Sequence, residues 1–331
     1  MLKMRIDVPA CGRQGRELRQ DRGFSLPELL ISVTILLIIS SAVVTGLLQL
    51  TNSQKTIANR TEMHSGVRSA TELLQQEVGQ AGRVALPGTT TLGGAVAIGS
   101  QAVGVNMTIG GVTGASVSGL FTGEQLTIDG GSNQETVTLT AVNSASKQIT
   151  ATFANAHAAG AAINVFGGFS TGLVPPQPGF TNGSTGSILK LYGDINGDGN
   201  MVYVEYTCDT VTGNLYRNAI AYDAVAKAAA TADQVLLSNI QANPGGTACF
   251  TYLPSPLPVV NGTTYVLDVA ITLTVKTQLL DPITKQYQTE TKALLNVSPR
   301  NVFDVWQLAS VGSTGLKRIQ LMPASVQALL P

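Results

Sequence analysis

Charge is the first thing this chain has little of. Only 12% of its 331 residues are charged, with 20 basic against 20 acidic, so it offers no basic face to a polyanion and nucleic acid is not expected as a partner. Histidine is reduced to two residues, His64 and His157. No paired His with a nucleophile, no phosphate-cradling glycine loop before a helix and no Cys/His zinc spacing occurs, so the sequence carries no catalytic constellation and an enzyme is not expected. Aromatic residues make up 5%. Gly, Thr, Ser, Ala and Val abound instead, a composition typical of β-rich surface and exported proteins.

One long uncharged stretch stands out against this background. From Leu29 to Leu50 the chain runs for 22 residues without a charge, and the uncharged window continues to Gln54. At about 1.5 Å per residue such a helix reaches roughly 33 Å, enough to cross a hydrocarbon core. A secretory signal has a shorter apolar core, about 7 to 15 residues, and a small-residue cleavage site after it. Here a carboxylate, Glu28, stands at the mouth of the run instead. The preceding residues 1–23 carry Lys3, Arg5, Arg13, Arg16, Arg19 and Arg22 against Asp7, Glu17 and Asp21. That positive excess holds the leader on the cytoplasmic side and sends the rest of the chain outward.

The stretch "RGFSLPELLISVTILL" closely resembles the signal sequence of type IV prepilins and type II secretion pseudopilins. The resemblance implies cleavage by a prepilin peptidase after Gly23, N-methylation of the new first residue Phe24, and an assembly role for Glu28. In that family the charge is neutralised by the N-terminal amine of a neighbouring subunit, which sets the axial register of assembly. A carboxylate in lipid is expensive without such a partner. The alternative is a carboxylate lying in the headgroup layer at a helix end. Pro27 stands where the family has another apolar residue, a substitution that a first helical turn tolerates because its N–H groups are unpaired there anyway.

Beyond the run, Ile57, Met63, Val67, Ala70, Leu74, Val78 and Ala81 recur at helical spacing. They predict that the helix continues to about Val84 as an amphipathic stalk, stopped by Pro87 and Gly88. His64 reads as a solvated residue of that stalk. Composition then shifts. "EQLTIDG", "QETVTLTAV" and "KQITATF" alternate apolar and polar residues between turn signals, predicting an inserted β module over 88–172 in which His157 serves a turn. Residues 173–186, rich in Pro, Gly and Asn, read as a linker. In "YVLDVAITLTVKT" Leu267, Val269, Ile271, Leu273 and Val275 fall on one face of a strand. "MVYVEYTC" before "TGNLYRN", and "TKQYQTETKALLNV" after "LLDP", supply hairpin partners. The expected fold is therefore α+β: leader 1–23, membrane and assembly helix 24–54, stalk helix 55–87, β module 88–172, linker 173–186 and a C-terminal antiparallel β-sheet domain 187–331 packed on the stalk.

The order of strands in residues 198–301 resembles the PilW-like minor pilins and the J-class pseudopilins. This resemblance implies a structural subunit that primes assembly of a type IV pilus, with major and minor pilins as partners through the N-terminal helix. It implies a single pass of the inner membrane with the head in the periplasm, and then the pilus and cell surface. The alternatives are a pseudopilin of a type II secretion system and a pilin-anchored, calcium-dependent binding module.

Cleavage at Gly23 would remove Cys11 and leave the pair Cys208 and Cys249 in an oxidising compartment. A bridge between them would close a loop of about 40 residues, stabilising the head by roughly 4 kcal/mol in the chain-entropy model; two buried free thiols are the other possibility. Calcium is the one cofactor that the sequence suggests. In "DINGDGNMVYVE", Asp194, Asn196, Asp198, Gly199 and Glu205 match the spacing of a calcium loop, with the carbonyl of Asn200 as a further ligand. A strand pattern follows where an EF-hand has a helix, so a polar turn between two strands explains the same residues.

Processing between Gly23 and Phe24 is directly testable. Mass spectrometry of the membrane or filament form should find N-methylated Phe24 as the first residue. An intact Met1 in assembled material would contradict the motif assignment.

Overall fold

A computed structural model describes residues 25–176, 183–224, 234–312 and 318–329. Gly23, Phe24 and Cys11 lie outside them. The described chain is α+β, a long N-terminal helix followed by a mostly antiparallel β head. It divides into two compact units, residues 1–55 and 56–331.

Helix α1 runs from Leu26 to Gln80. In the first unit every residue from 26 to 50 is exposed, a surface of Leu, Ile and Val that water would not tolerate at such length. From Thr56 onward the helix belongs to the second unit, and there Val67, Ala70, Leu74 and Val78 are buried as one stripe, with Met63 packed at its margin. Ile57, assigned to the same stripe from its spacing, is instead exposed. The helix also stops sooner than Pro87 requires. Gly82 follows in the left-handed region at φ +84°, and a Cβ there would approach the Phe169 carbonyl oxygen and a methyl of Val302. Glycine ends a helix this way because it pays no Cβ penalty in that conformation.

Two sheets receive the stripe. One has the order β12–β11–β10–β9, from β9 (Ile188–Gly193), β10 (Val202–Asp209), β11 (Asn214–Ala221) and β12 (Val235–Ser238). In the other, β17 (Asp268–Lys276) pairs with β13 (Ile240–Gln241) and β14 (Phe250–Leu253), and also with β18 (Thr289–Val297). Leu189, Leu191, Val204 and Leu215 from the first and Val269, Ile271, Leu273 and Val275 from the second join the helix in one core. The alternation expected for β17 is present, with two adjustments. Leu267 lies before the strand and packs with Val302 and Val305 of α2 (Arg300–Ser310) in a separate cluster. Thr274, on the face read as polar, is buried because its hydroxyl bonds Asn243 Oδ1 at 2.8 Å and Thr291 Oγ1 at 2.9 Å. The Cys208–Cys249 disulfide ties β10 to the residue preceding β14, linking the two sheets.

Residues 89–165 form a further seven-stranded sheet from β1 (Thr89–Leu92), β2 (Gly99–Ile109), β3 (Val112–Ala115), β4 (Gln125–Ile128), β5 (Glu135–Asn143), β6 (Gln148–Phe153) and β7 (Ala162–Val165). Its order is β1–β7–β4–β5–β6–β2–β3, and β1 also pairs with β2. Six strands therefore close into a ring around Leu92, Val105, Leu126, Ile128, Leu139, Ile149, Phe153 and Ile163. Closure removes edges within the ring and leaves the short, exposed β3, paired only with β2, as its open edge.

Short segments join the ring to the rest. β8 (Gly168–Phe169) pairs in parallel with β19 (Ile319–Gln320), and α3 (Ala324–Leu329) follows. The buried Gln320 side chain donates to the Gln125 and Phe166 carbonyls at 2.7 and 2.9 Å and accepts from the Gln125 N–H at 2.9 Å. The described ends of the segment read as a linker are likewise packed: Leu173 and Val174 are buried.

One polar cluster crosses the helix–sheet core. Glu77 is 3% exposed on the buried side of α1. Its carboxylate accepts from Arg217 Nη2 at 2.6 Å, from Arg217 Nε at 3.1 Å and from the Tyr206 hydroxyl at 2.5 Å. Burial and the facing carboxylate push the Tyr206 hydroxyl far above its ordinary pKa, so it remains a donor. Breaking such a pair leaves a buried charge alone. Glu77→Ala should therefore cost about 3 to 5 kcal/mol in chemical denaturation, whereas replacing Glu77 and Arg217 together by Leu should recover most of the loss. Equal losses in the single and double variants would show that the charges do not act as a pair.

Candidate functional site

The N-terminal helix begins with its first bond from the Leu29 N–H to the Ser25 carbonyl at 3.1 Å. Pro27 falls in the first turn, where no intrahelical donor is lost. Glu28 is in the same turn, so its charge also complements the free N–H groups of the helix start. Five hydroxyls that interrupt the apolar run are turned back on the helix. Ser32 donates to the Glu28 carbonyl, Thr34 to Leu30, Ser41 to Ile38, Thr45 to Ser41 and Thr51 to Leu47, each at 2.8 Å. No hydroxyl of this set needs water, which is the condition for a helix in lipid or against other helices. This helix is long and apolar enough to span a membrane.

Of the residues matching a calcium loop, Asp194, Asn196, Asp198, Gly199 and Asn200 occupy the turn between β9 and β10. Asp194 is buried; its Oδ1 accepts from the Gly199 N–H at 3.2 Å and its Oδ2 lies 3.4 Å from Arg83 Nε. Asp198 Oδ1 accepts from the Asn200 N–H at 2.8 Å. Glu205 sits well along β10, opposite Lys190, and accepts from the Tyr203 hydroxyl at 2.9 Å. The fold thus gathers Asp194, Asp198, Gly199 and Asn200 into one turn and sets Glu205 apart in the strand. Among the described residues no three His, Cys, Asp or Glu side chains group as a metal site would.

His157 departs from its expected surroundings. Its side chain is fully buried between two carboxylates, with Nδ1 3.1 Å from Asp129 Oδ2 and Nε2 2.6 Å from Glu135 Oε1. Asn133 Nδ2 also donates to Asp129 at 2.9 Å, and the Glu135 carboxylate accepts from the N–H groups of Ala154 and Asn155. The cluster staples the β4–β5 turn to the β6–β7 turn. Because the carboxylates face opposite ring nitrogens, they favour the doubly protonated imidazolium, which donates to both. Burial alone would lower the His157 pKa, but hydrogen bonds to Glu135 and Asp129 outweigh it and raise the value. Sequence reading missed this cluster because Asp129 and Glu135 lie a hairpin away in the chain. Glu77 did leave a signal, a charge at helical spacing on the apolar stripe. His64, read as a solvated stalk residue, is exposed and pairs with Glu290.

Glu124 is a further displaced group. It is fully buried, with one oxygen accepting the Phe121 N–H at 3.2 Å. Burial pushes its carboxyl up to about 8.

The chain thus combines a helix long and apolar enough to cross a membrane with a disulfide-linked β head. Residues 18–44 match the prokaryotic N-terminal methylation motif. The match covers Gly23, Phe24 and Glu28, supports a type IV pilin-like or pseudopilin protein, and points to a structural subunit rather than an enzyme. It implies processing by a prepilin peptidase. Searches of curated proteins and of solved structures gave no match.

The displaced groups fix how head stability varies with pH. His157, raised in the fold, contributes fully below its unfolded value of about 6.5, and the contribution disappears as pH rises through the folded value. Asp129, lowered by Asn133 and then His157, contributes above its unfolded value and loses that contribution as pH falls through the folded one. Glu124 stays protonated in the fold while the unfolded chain ionises, so its cost grows from about pH 4.5 to about pH 8. Thermal unfolding followed by circular dichroism should therefore give a Tm that falls by several degrees from about pH 6 to about pH 8.5. Glu124→Gln should raise Tm mainly at the upper end, and His157→Gln should cost most at the lower end. A pH-independent effect of His157→Gln would show that its charge is not what holds the two turns.

Proposed function

We propose that the chain is a minor pilin of the PilW-like kind, a structural and assembly-priming subunit of a type IV pilus. The observation that carries this reading is the methylation motif running into an uncharged helix whose first turn holds a single carboxylate, Glu28. Before assembly the helix anchors the chain in the inner membrane, the basic leader stays inside and the head lies in the periplasm. Cleavage after Gly23 frees the Phe24 amine, which a neighbouring subunit's Glu28 neutralises as the helix leaves lipid for the filament. The pairing replaces the cost of an isolated carboxylate in an apolar setting and fixes the axial offset between subunits.

The head supports a low-copy role. The ring of residues 89–165 adds a second β core to the two sheets on α1, bulk that a subunit repeated along every turn of a filament would have to accommodate each time. Its closed strand order leaves little edge for propagation by strand addition.

Glu28→Ala tests the reading. Membrane insertion should be unchanged, since the apolar run drives it, while incorporation into filaments should fall about tenfold or more, equivalent to roughly 1.4 kcal/mol or more of lost pairing. Incorporation at the normal level would contradict the role given to Glu28.

A further inference from the structure

The loop between β17 and β18 turns an apolar face outward. Leu279, Leu280, Ile283 and Tyr287 are all exposed, Leu279 and Ile283 by 63% and 62%. The loop is nevertheless tightly built. The buried Asp281 carboxylate accepts from the N–H groups of Ile283 and Thr284 at 2.7 and 2.9 Å and from Gln288 Nε2 at 2.5 Å. The Thr277 N–H donates to the Gln288 carbonyl at 2.8 Å, and the Asp281 N–H to the Gln286 carbonyl at 3.0 Å. Several contacts fasten it to α1: the Thr56 side chain hydrogen-bonds the Asp281 carboxylate, Asn59 Nδ2 reaches the Leu279 carbonyl at 3.5 Å, and Arg60 Nε donates to Gln288 Oε1. An ordered loop that presents three large aliphatic side chains to water is costly unless something apolar covers them.

The rest of its chemistry suits a graded medium. Tyr287 lies beneath the Lys276 ammonium, 5.0 Å from its ring centre, and Lys285 stands in the same turn. Aliphatic side chains flanked by tyrosine and lysine match a bilayer interface, where acyl chains give way to headgroups within a few ångströms. Chain connectivity supplies the proximity. Thr56, which begins the unit holding the loop, follows Leu50, the end of the apolar run, by only six positions. A chain of that length spans at most about 20 Å even fully extended.

We propose that the 279–287 loop is a membrane-surface contact. Leu279, Leu280 and Ile283 enter the interfacial layer of the same bilayer that holds residues 29–50, with Tyr287, Lys276 and Lys285 among the headgroups. Anionic lipid strengthens the contact through the two lysines. Before assembly the head is thereby held against the membrane, and extraction of the subunit into a filament must peel this loop away. The proposal rests on reading residues 29–50 as a membrane span.

The test uses the full chain reconstituted into phosphatidylcholine–phosphatidylglycerol vesicles containing lipids brominated on their acyl chains. In a Trp306→Phe background, which removes the only native tryptophan, Ile283→Trp reports on the loop. Val211→Trp, at a position 96% exposed in the β10–β11 turn, reports on the head away from it. Both positions are exposed, so the fold should be spared, as unchanged circular dichroism would verify. Emission from Ile283→Trp should shift to the blue and be quenched severalfold more strongly than emission from Val211→Trp, with the difference reduced when phosphatidylglycerol is omitted. Equal quenching while the chain still floats with the vesicles would overturn the loop contact and leave the span intact. Failure of the chain to float would overturn the span and the proposal together. Burial of the Ile283→Trp indole in filaments but not in vesicles would assign the face to a neighbouring subunit and overturn the proposal.

Discussion

The head depends on one stripe of helix α1 and on the charge that interrupts it. Val67, Ala70, Leu74 and Val78 form a helical surface that shares one core with both sheets. The sheets share no strand, so without the stripe each would present an apolar face to water. Apolar contact of this kind tolerates sliding. Glu77 removes the freedom, because its carboxylate finds Arg217 and the Tyr206 hydroxyl at only one axial position of the helix. A buried ion pair adds little net stability over a well-packed apolar pair, but a displaced one is severely penalised. The cluster therefore specifies register more than it stabilises. The Cys208–Cys249 bridge then ties the two sheets directly.

The same helix serves two media. In residues 29–50 its side chains are mostly apolar all round and the hydroxyls of Ser32, Thr34, Ser41 and Thr45 are satisfied by its own carbonyls, which leaves the Glu28 carboxylate in the first turn as its one charged group. From Met63 onward the polar and apolar residues separate into faces. That division is what a subunit needs if its anchor is to leave a membrane for a filament while its head stays folded, and the helix residues in the head's core begin at Met63.

Much of this was legible in the sequence because it is written in local periods. An uncharged run, a helical stripe and a two-residue alternation are short-range signals, and they located α1, β4, β5, β6 and β17. What escaped was non-local. Closure of the ring depends on β1 pairing with both β2 and β7, partners that no local pattern names. The surroundings of His157 come from residues more than twenty positions away. The helix end at Gly82 reflects the close approach of Val302 and Phe169, from segments far along the chain. The calcium-loop spacing lies across the β9–β10 turn, with Asp194 and Asp198 in the turn and Glu205 along β10 beside Tyr203.

The central claim is that this chain is a structural subunit on which filament assembly depends. The most direct measurement is electron-microscopic counting of surface filaments in cells that lack the chain but still make the major subunit, with re-expression as the control. The account predicts that filaments are lost or sharply reduced and are restored by the full-length chain. Filaments undiminished in number and length without it would contradict the claim.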